Sequence, residues 1–599
     1  MAPEKPIPFP NDFATADEYV DSLLKFSAAS TIFQTLCGGV HILDFFTRTP
    51  SLYHTVIPSE WRSWLMARES MELLDFFMRD DLSIPRDDEP PESLLKYVKD
   101  IRKHSLQRSL PVGKEKDRKL PRTVSVGMIP KKVHEVSRFA EYVVKVADDV
   151  AASSGKEITH FVDFGSGQNY LGRTLACPPY NKHIVAVESK ELNINGAKRM
   201  DVSAGVGKRE IVMRNKKVFR QIQNTAKPVE DLNPKEKKNL ATTVPDTNGV
   251  DLRPIKDLAT IYTPAEGKGY MQYVEHIVQD GDLSNVVTQI EKLRLEAPLG
   301  NLQLTNGDSG NPALPDVLNE ISKTDDVRLM AISIHSCGNL SHHGIRSLIL
   351  NPSVQAIAIV GCCYNLLTSC LGPPTVKHPH IRRNLIPINA PPGGIKELSD
   401  CDPHGFPMSQ RVAKYDGDGI RFNITARMMG VQAPSNWTSK DSDSFFTRHF
   451  YRALLQKVFL DYGVISMIAA DENGPESTEP VIIGGLRKGC YGSFTSYVRG
   501  AIEKLKVGPG VSLNLDATLG RATDEELDEY GRKYDELKRE LSVTWSLMAF
   551  SAGVVESLIV VDRWLFLKEH SDLVKECWVE PVFEYKQSPR NLVVVGIKL

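Results

Sequence analysis

Net charge is almost absent from this 599-residue chain: 73 Lys and Arg stand against 75 Asp and Glu, leaving a formal charge of −2. So even a balance gives no overall field toward nucleic acid or an anionic surface, and only local patches remain for that work. Cysteine is scarce too, with nine in the whole chain, too few and too irregularly spaced for a disulfide framework. No run of ~18 apolar residues stands out as a membrane span. MAPEKPIPFP lacks the basic stretch leading into an apolar one that marks a secretory signal. These absences predict an intracellular protein, cytoplasmic or nuclear, without membrane association and with its cysteines as thiols. Asn423-Ile424-Thr425 and Asn436-Trp437-Thr438 fit the glycosylation pattern and are read as chance on the same grounds.

What is present is apolar residue, 41% of the chain, over a length well beyond the roughly 100–200 residues of one domain. Residues 1–120 read as a helical region, with apolar residues three and four apart in DEYVDSLLKF and SWLMARESMELLDFFMRDDL. They end in RKHSLQRSLPVGKEKDRKLPR, a basic stretch read as a solvated linker. A core over 121–370 follows: a helix begun at Pro130, a strand ITHFVDF, a glycine turn, a helix and a second strand HIVAVES. This is the βαβ rhythm of a parallel α/β sheet. A polar insertion at about 203–325 interrupts it, and residues 208–238 carry ten Lys or Arg against four Asp or Glu. That segment is read as a solvated arm or a contact for RNA. Strands resume in DVRLMAISIHSCGNL and VQAIAIVGCCYNLL. An insertion and helical region spans 371–540, and 541–599 holds a long helix and a closing hairpin joined by QSPRN.

Chemistry is expected at three strand ends, since open α/β sheets gather ligands there. Asp163-Phe164-Gly165-Ser166-Gly167-Gln168-Asn169 combines glycines, for close ligand approach, with a helix start offering free amides. The third glycine of a dinucleotide fingerprint would fall at Tyr170, so a nicotinamide cofactor fits poorly. An acid two places before the first glycine, with Glu188 ending the next strand, suits the ammonium and ribose hydroxyls of S-adenosylmethionine better. His335, in IHSCGNL, is placed to align a substrate or take a proton. Cys362, Cys363, Tyr364 and Asn365 form the third end and are assigned to the substrate side.

Three readings of the cysteines stay open. The first is that they are small residues packing at the rim, with Tyr364 and Asn365 facing ligand. A cysteine nucleophile, using Cys337 with Cys362 or Cys363, comes second, though the Pro-Cys and Thr-Cys contexts of such enzymes are absent. A zinc site drawing on His335, Cys337, His342, His343, Cys362 and Cys363 comes last, because adjacent residues face one point poorly, and no metal is assigned.

GMIPKKVHEV, VDFGSGQNYLGRTLA, AVESKELNINGAKR, IHSCGNL, VGCCYNLL, GFPMS and SPRNLVVVGIKL, in this order across roughly 120–599, resemble the methyltransferase-like protein 25 family. That group includes proteins named for a ribosomal RNA adenine dimethylase-like domain. The resemblance implies a Rossmann-like class I methyltransferase fold, a seven-stranded sheet ending in an antiparallel hairpin, with large insertions and an N-terminal helical region. It implies S-adenosyl-L-methionine as cofactor, held by Asp163, Gly165, Ser166, Gly167, Gln168, Tyr170, Glu188, Ser189, His335, Cys337 and Gly338. Lys131, Lys132, His134 and Glu135 match a family segment that packs over the cofactor. His335 and Tyr364 are the catalytic candidates. Asn169 departs from the pattern D-x-G-x-G-x-G at its third glycine, which predicts a wider turn. The methyl acceptor is expected to be RNA or protein; the competing reading is a scaffold that binds RNA or ribosomes and retains the fold without catalysis.

Overall fold

The computed structural model describes residues 2–84, 88–110, 119–212, 258–263, 267–296, 327–372, 387–390, 401–471, 476–507 and 515–599, with a few single positions between them. Most of the polar insertion, most of the basic segment 208–238 and the middle of the basic linker lie outside the described residues.

Seven strands are β1 (His160–Phe164), β2 (His183–Glu188), β3 (Tyr270–Glu275), β4 (Leu329–Ser336), β5 (Val354–Gly361), β6 (Val574–Pro581) and β7 (Leu592–Lys598). They form one sheet in the order β6-β7-β5-β4-β1-β2-β3. The helices that matter for the site are α1 (Pro130–Ser154), α2 (Tyr170–Ala176), α3 (Glu191–Ala204), α4 (Leu340–Leu350) and α5 (Lys538–Glu569). The chain divides into two compact units, a smaller one of Lys119–Ala140 and His160–Ile277 and a larger one of Met1–Arg118, Glu141–Thr159 and Val278–Leu599.

In the smaller unit, β1 pairs parallel with β2 and β2 parallel with β3, with Asp163 opposite Ala186 and Glu188 opposite Glu275. β1 is buried at every position, as a parallel strand covered on both faces should be. β3 went unread in the sequence. Its YMQYVE mixes Gln and two Tyr into a sheet edge, so neither a continuous apolar run nor a clean alternation marks it.

In the larger unit, β4 and β5 are parallel, while β7 runs antiparallel to both β5 and β6. The loop of the closing hairpin spans 582–591, twice as long as QSPRN alone. The long C-terminal helix is interrupted by a 3₁₀ turn at Asp535–Leu537, after which α5 runs for 32 residues. α5 is buried almost throughout from Leu541 to Leu567, as expected of a helix apolar on all sides. The sequence reading found no membrane-length run; α5 does contain a window apolar enough to span a bilayer, and 94% of that window is buried inside the protein. The N-terminal helices pack against α5. The Phe77 and Phe550 rings stack at 5.3 Å, and the Tyr97 and Ser551 hydroxyls meet at 2.7 Å.

One charge interrupts that apolar helix. Glu556, buried, accepts from Arg108 Nη2 at 2.6 Å, Arg590 Nη1 at 2.5 Å and the Tyr364 hydroxyl at 2.9 Å. The reading of the basic linker as solvated is thereby corrected at Arg108, which lies inside the protein because a buried carboxylate requires cationic partners. Burial works to raise the Glu556 pKa, and Arg108 and Arg590 outweigh it, holding the carboxyl below its usual range. Glu556→Ala strands two arginines and is expected to cost about 3–5 kcal/mol in urea denaturation at pH 7. A loss below ~1 kcal/mol would mean that the cluster is not the anchor it resembles.

Candidate functional site

In the smaller unit, the penultimate residue of β1 is the buried acid Asp163, and after Phe164 the chain passes three times through left-handed backbone. Gly165, Gly167 and Asn169 have φ of 64°, 56° and 52°, a region open to glycine and, among residues with side chains, most readily to asparagine. Asparagine at the third place does the backbone work of glycine, which removes the reason for expecting a wider turn. Its side chain is fully buried, with Nδ2 donating to the Tyr273 hydroxyl at 2.9 Å. Gly172 leaves room for it: a Cβ there would lie 2.1 Å from Asn169 Oδ1.

A buried ion pair supports the turn from beneath. Arg173 Nε donates to Asp201 Oδ1 at 2.8 Å, and both side chains are fully enclosed. The Tyr273 and Tyr262 hydroxyls donate to Asp201 Oδ2 at 2.5 and 2.7 Å, and Arg173 Nη2 reaches the Gln168 carbonyl at 3.0 Å. No motif pointed to these residues. Their one trace in the sequence is a pair of opposite charges, on α2 and α3, among the apolar positions those helices bury.

Glu188, at the end of β2, closes the turn from the side. Its Oε2 accepts the Gly167 N–H at 2.9 Å and its Oε1 the Lys190 N–H at 2.9 Å. Asp163, 4% exposed, is pushed up to about 8 by burial, with Lys132 pulling down and Glu188 adding to the rise. The Ser166 hydroxyl is buried without a partner among the described residues.

Asp163, Gly165, Ser166, Gly167 and Glu188 therefore surround one turn. Gln168 and Tyr170, expected in the same set, are engaged in packing instead. Gln168 lies against Gly196 and reaches Asn193 Oδ1 at 3.4 Å, and the Tyr170 hydroxyl donates to the Gly127 carbonyl at 3.0 Å. Ser189 is exposed. In the first turns of α1, Lys132 Nζ lies 3.0 Å from buried Glu135, with Lys131 exposed and His134 buried.

In the larger unit the ends of β4 and β5 meet. Cys362 N–H donates to the Ser336 carbonyl at 3.3 Å and Gly338 N–H to the Cys363 carbonyl at 3.2 Å. Gly338 is left-handed at φ 56°, and a Cβ on it would lie 2.5 Å from the Leu366 carbonyl oxygen. The Sγ atoms of Cys337, Cys362 and Cys363 lie 3.3 to 3.5 Å apart. The neighbouring Cys362 thiol, followed by Cys363 and the charge of His335, holds Cys337 below the usual thiol range against the effect of burial. His335 itself is half-buried. His342 and His343, weighed as ligands, sit on α4, where burial lowers both pKa values, that of His343 to about 4.

The placement of Tyr364 at the substrate is corrected. It is 2% exposed, its hydroxyl is bound by Glu556, and the Arg563 guanidinium lies 5.5 Å from its ring centroid, so it belongs to the buried charge cluster. Asn365 does face open space, on the wall of a cavity of about 760 Å³ lined also by Thr368, Arg427, His449 and Trp545.

A parallel sheet closed by antiparallel β7, with an acid and a glycine turn after β1 and a second acid ending β2, is the architecture of a class I methyltransferase. Residues 131–370 match the family model described as a methyltransferase domain. Beyond that domain, the chain is similar to "Probable methyltransferase-like protein 25" of Homo sapiens, 22% identical over 514 residues, which cover 78% of this chain and 74% of that protein. The protein of the same name from Mus musculus is 23% identical over 509 residues, covering 79% and 75%. The family that the motifs resemble and the family of these relatives are the same. No solved structure matches the chain.

Because Asp163 keeps a proton in the folded protein that the unfolded chain releases above ~pH 4, its contribution to stability is fully present below ~pH 4 and declines as pH rises toward 8. Asp163→Asn is expected to melt near wild type at pH 4 and above wild type at pH 8.5. A melting difference that does not change with pH would contradict the buried, raised carboxyl.

Proposed function

We propose that the protein transfers a methyl group from S-adenosylmethionine to a macromolecular acceptor, RNA or protein. The observation that carries this is the Glu188 carboxylate hydrogen-bonded to the Gly167 amide, which sets two acids, one at or next to the end of each strand, around a left-handed turn. The donor set fits the cofactor. Asp163 is a carboxyl that burial keeps from ionising and that a nearby ammonium would restore to its charged form. Glu188 is an acceptor for paired hydroxyls, and Ser166 is a buried hydroxyl in need of a partner. A Cβ on Gly167 would meet nothing nearer than the Gly165 carbonyl at 4.0 Å, so the space over the turn is open.

When bound, S-adenosylmethionine supplies a methyl group activated by its positive sulfur. The protein's part is mainly positioning, because displacement at carbon needs the three reacting atoms in line more than it needs strong acid or base. Asp163 would hold the ammonium, Glu188 the ribose, and the Gly165 to Gly167 backbone the chain between them. Arg173 and Asp201 keep that backbone from relaxing. On the acceptor side the proposal retains His335 and Asn365 for alignment.

Calorimetry is expected to show S-adenosylhomocysteine binding that tightens from pH 6 to 8 as Asp163 ionises, and that Glu188→Ala or Gly167→Trp weakens by more than about tenfold. The absence of both heat and a thermal shift with either cofactor form would refute the assignment. Transfer of labelled methyl from the cofactor into cell extract, followed by RNase or protease digestion, identifies the acceptor polymer; label found in small molecules alone would overturn the macromolecular part.

A further inference from the structure

We propose that Cys337, Cys362 and Cys363 form a three-thiolate site for a soft d¹⁰ cation, with zinc as the metal to test. The site lies wholly within the larger unit and does not rest on the cofactor reading.

The geometry begins with the backbone. Adjacent residues of an extended strand face apart, which disfavours a shared ligand on sequence grounds. At Cys363 the chain leaves that conformation, with φ −88° and ψ 75°, and enters the short 3₁₀ helix Tyr364–Leu366. Both cysteines then face Cys337, which the hydrogen bonds of Ser336 and Gly338 hold across from them. The three sulfurs are within 4.8 Å of one another, and pairwise at 3.3, 3.4 and 3.5 Å. Zinc–sulfur bonds of ~2.3 Å in a tetrahedron place sulfurs ~3.8 Å apart, so each edge has to open by only a few tenths of an ångström. All three cysteines are free thiols.

A second observation concerns charge. Three thiolates around a divalent cation leave one negative charge, which a half-buried site has to balance. Arg563 is 2% exposed, and its side chain packs directly on Gly361, next in sequence to Cys362: a Cβ on that glycine would lie 2.2 Å from Arg563 Nη1. Its Nη2 donates to the Ser341 hydroxyl at 2.6 Å, while its Nε has no partner among the described residues. A buried guanidinium packed on the residue before Cys362 suits an anionic metal–thiolate centre nearby better than it suits three neutral thiols. Three protein ligands are the pattern of zinc sites that keep a fourth position for water or an incoming donor atom.

Full-length protein purified from zinc-supplemented cells and passed through dilute EDTA is expected to retain about one zinc per chain by mass spectrometry of the metal. Cys337→Ser is expected to retain almost none, and Cys577→Ser, on β6, to retain as much as wild type. Where Cys337→Ser does not fold, cobalt added to metal-depleted wild type gives the same answer through thiolate-to-cobalt charge-transfer bands, which Cys362→Ser and Cys363→Ser should each diminish. Four results would overturn the site: no retained metal and no such bands, zinc equally retained by a folded Cys337→Ser (an adventitious ion only), a disulfide among the three cysteines, or native thiols that N-ethylmaleimide modifies as fast as exposed Cys401.

Discussion

Charge on a helix without access to water is the constraint that organises the larger unit. α5 is surrounded by protein, so each ionised side chain on it must find its partners there. Glu556 takes Arg108, Arg590 and Tyr364. Asp562, six residues on, accepts the Met408 and Ser409 amides at 2.7 and 2.9 Å and the Ser409 hydroxyl at 2.7 Å. Arg563 takes Ser341 and lies under Gly361. The three side chains thus tie down the segment before α1, the GFPMS loop, the start of α4 and the end of β5. A shift of α5 by one turn would leave all three unmatched, so the polar groups act as a register mark in an otherwise featureless apolar surface. Their value lies in specifying one arrangement more than in adding stability.

The smaller unit meets a comparable demand by other means. A turn with three left-handed residues is costly to hold open, and a ligand site gains from having that cost met before the ligand arrives. Arg173, Asp201, Tyr262 and Tyr273 are fixed beneath it by hydrogen bonds of 2.5 to 2.8 Å, and Asn169 connects them to the turn itself. Glycine at position 169 would supply the same φ without that connection. Asparagine at this position is therefore a structural gain as well as a tolerated departure.

What was legible in the sequence followed from how each element is buried. β1, β2, β4 and β5 are short apolar runs bounded by turn residues, and the acid-glycine turn stood out because glycine, aspartate and a following helix start each leave a local mark. β3 did not, since its buried positions include Gln272 and its Tyr273 serves a buried carboxylate. Arg108 was misread because a cation among other cations gives no local sign that its partner is a glutamate 448 positions away. Tyr364 was misassigned for the same reason: its strand-end position was visible and Glu556 was not. The cysteines were judged as neighbours in an extended chain, whereas the kink at Cys363 comes from the tertiary pairing of two strand ends.

β7 lies between β5 and β6, hydrogen-bonded to both, yet it is the last of the seven strands to leave the ribosome. Until it does, β5 presents an open edge of consecutive Ala, Ile and Val in the nascent chain, a template for any other extended polypeptide nearby. The strand that completes the sheet is also the one that ends this exposure. For this protein the interval between making β5 and making β7, some two hundred residues of synthesis, is the period in which a chaperone has most to protect.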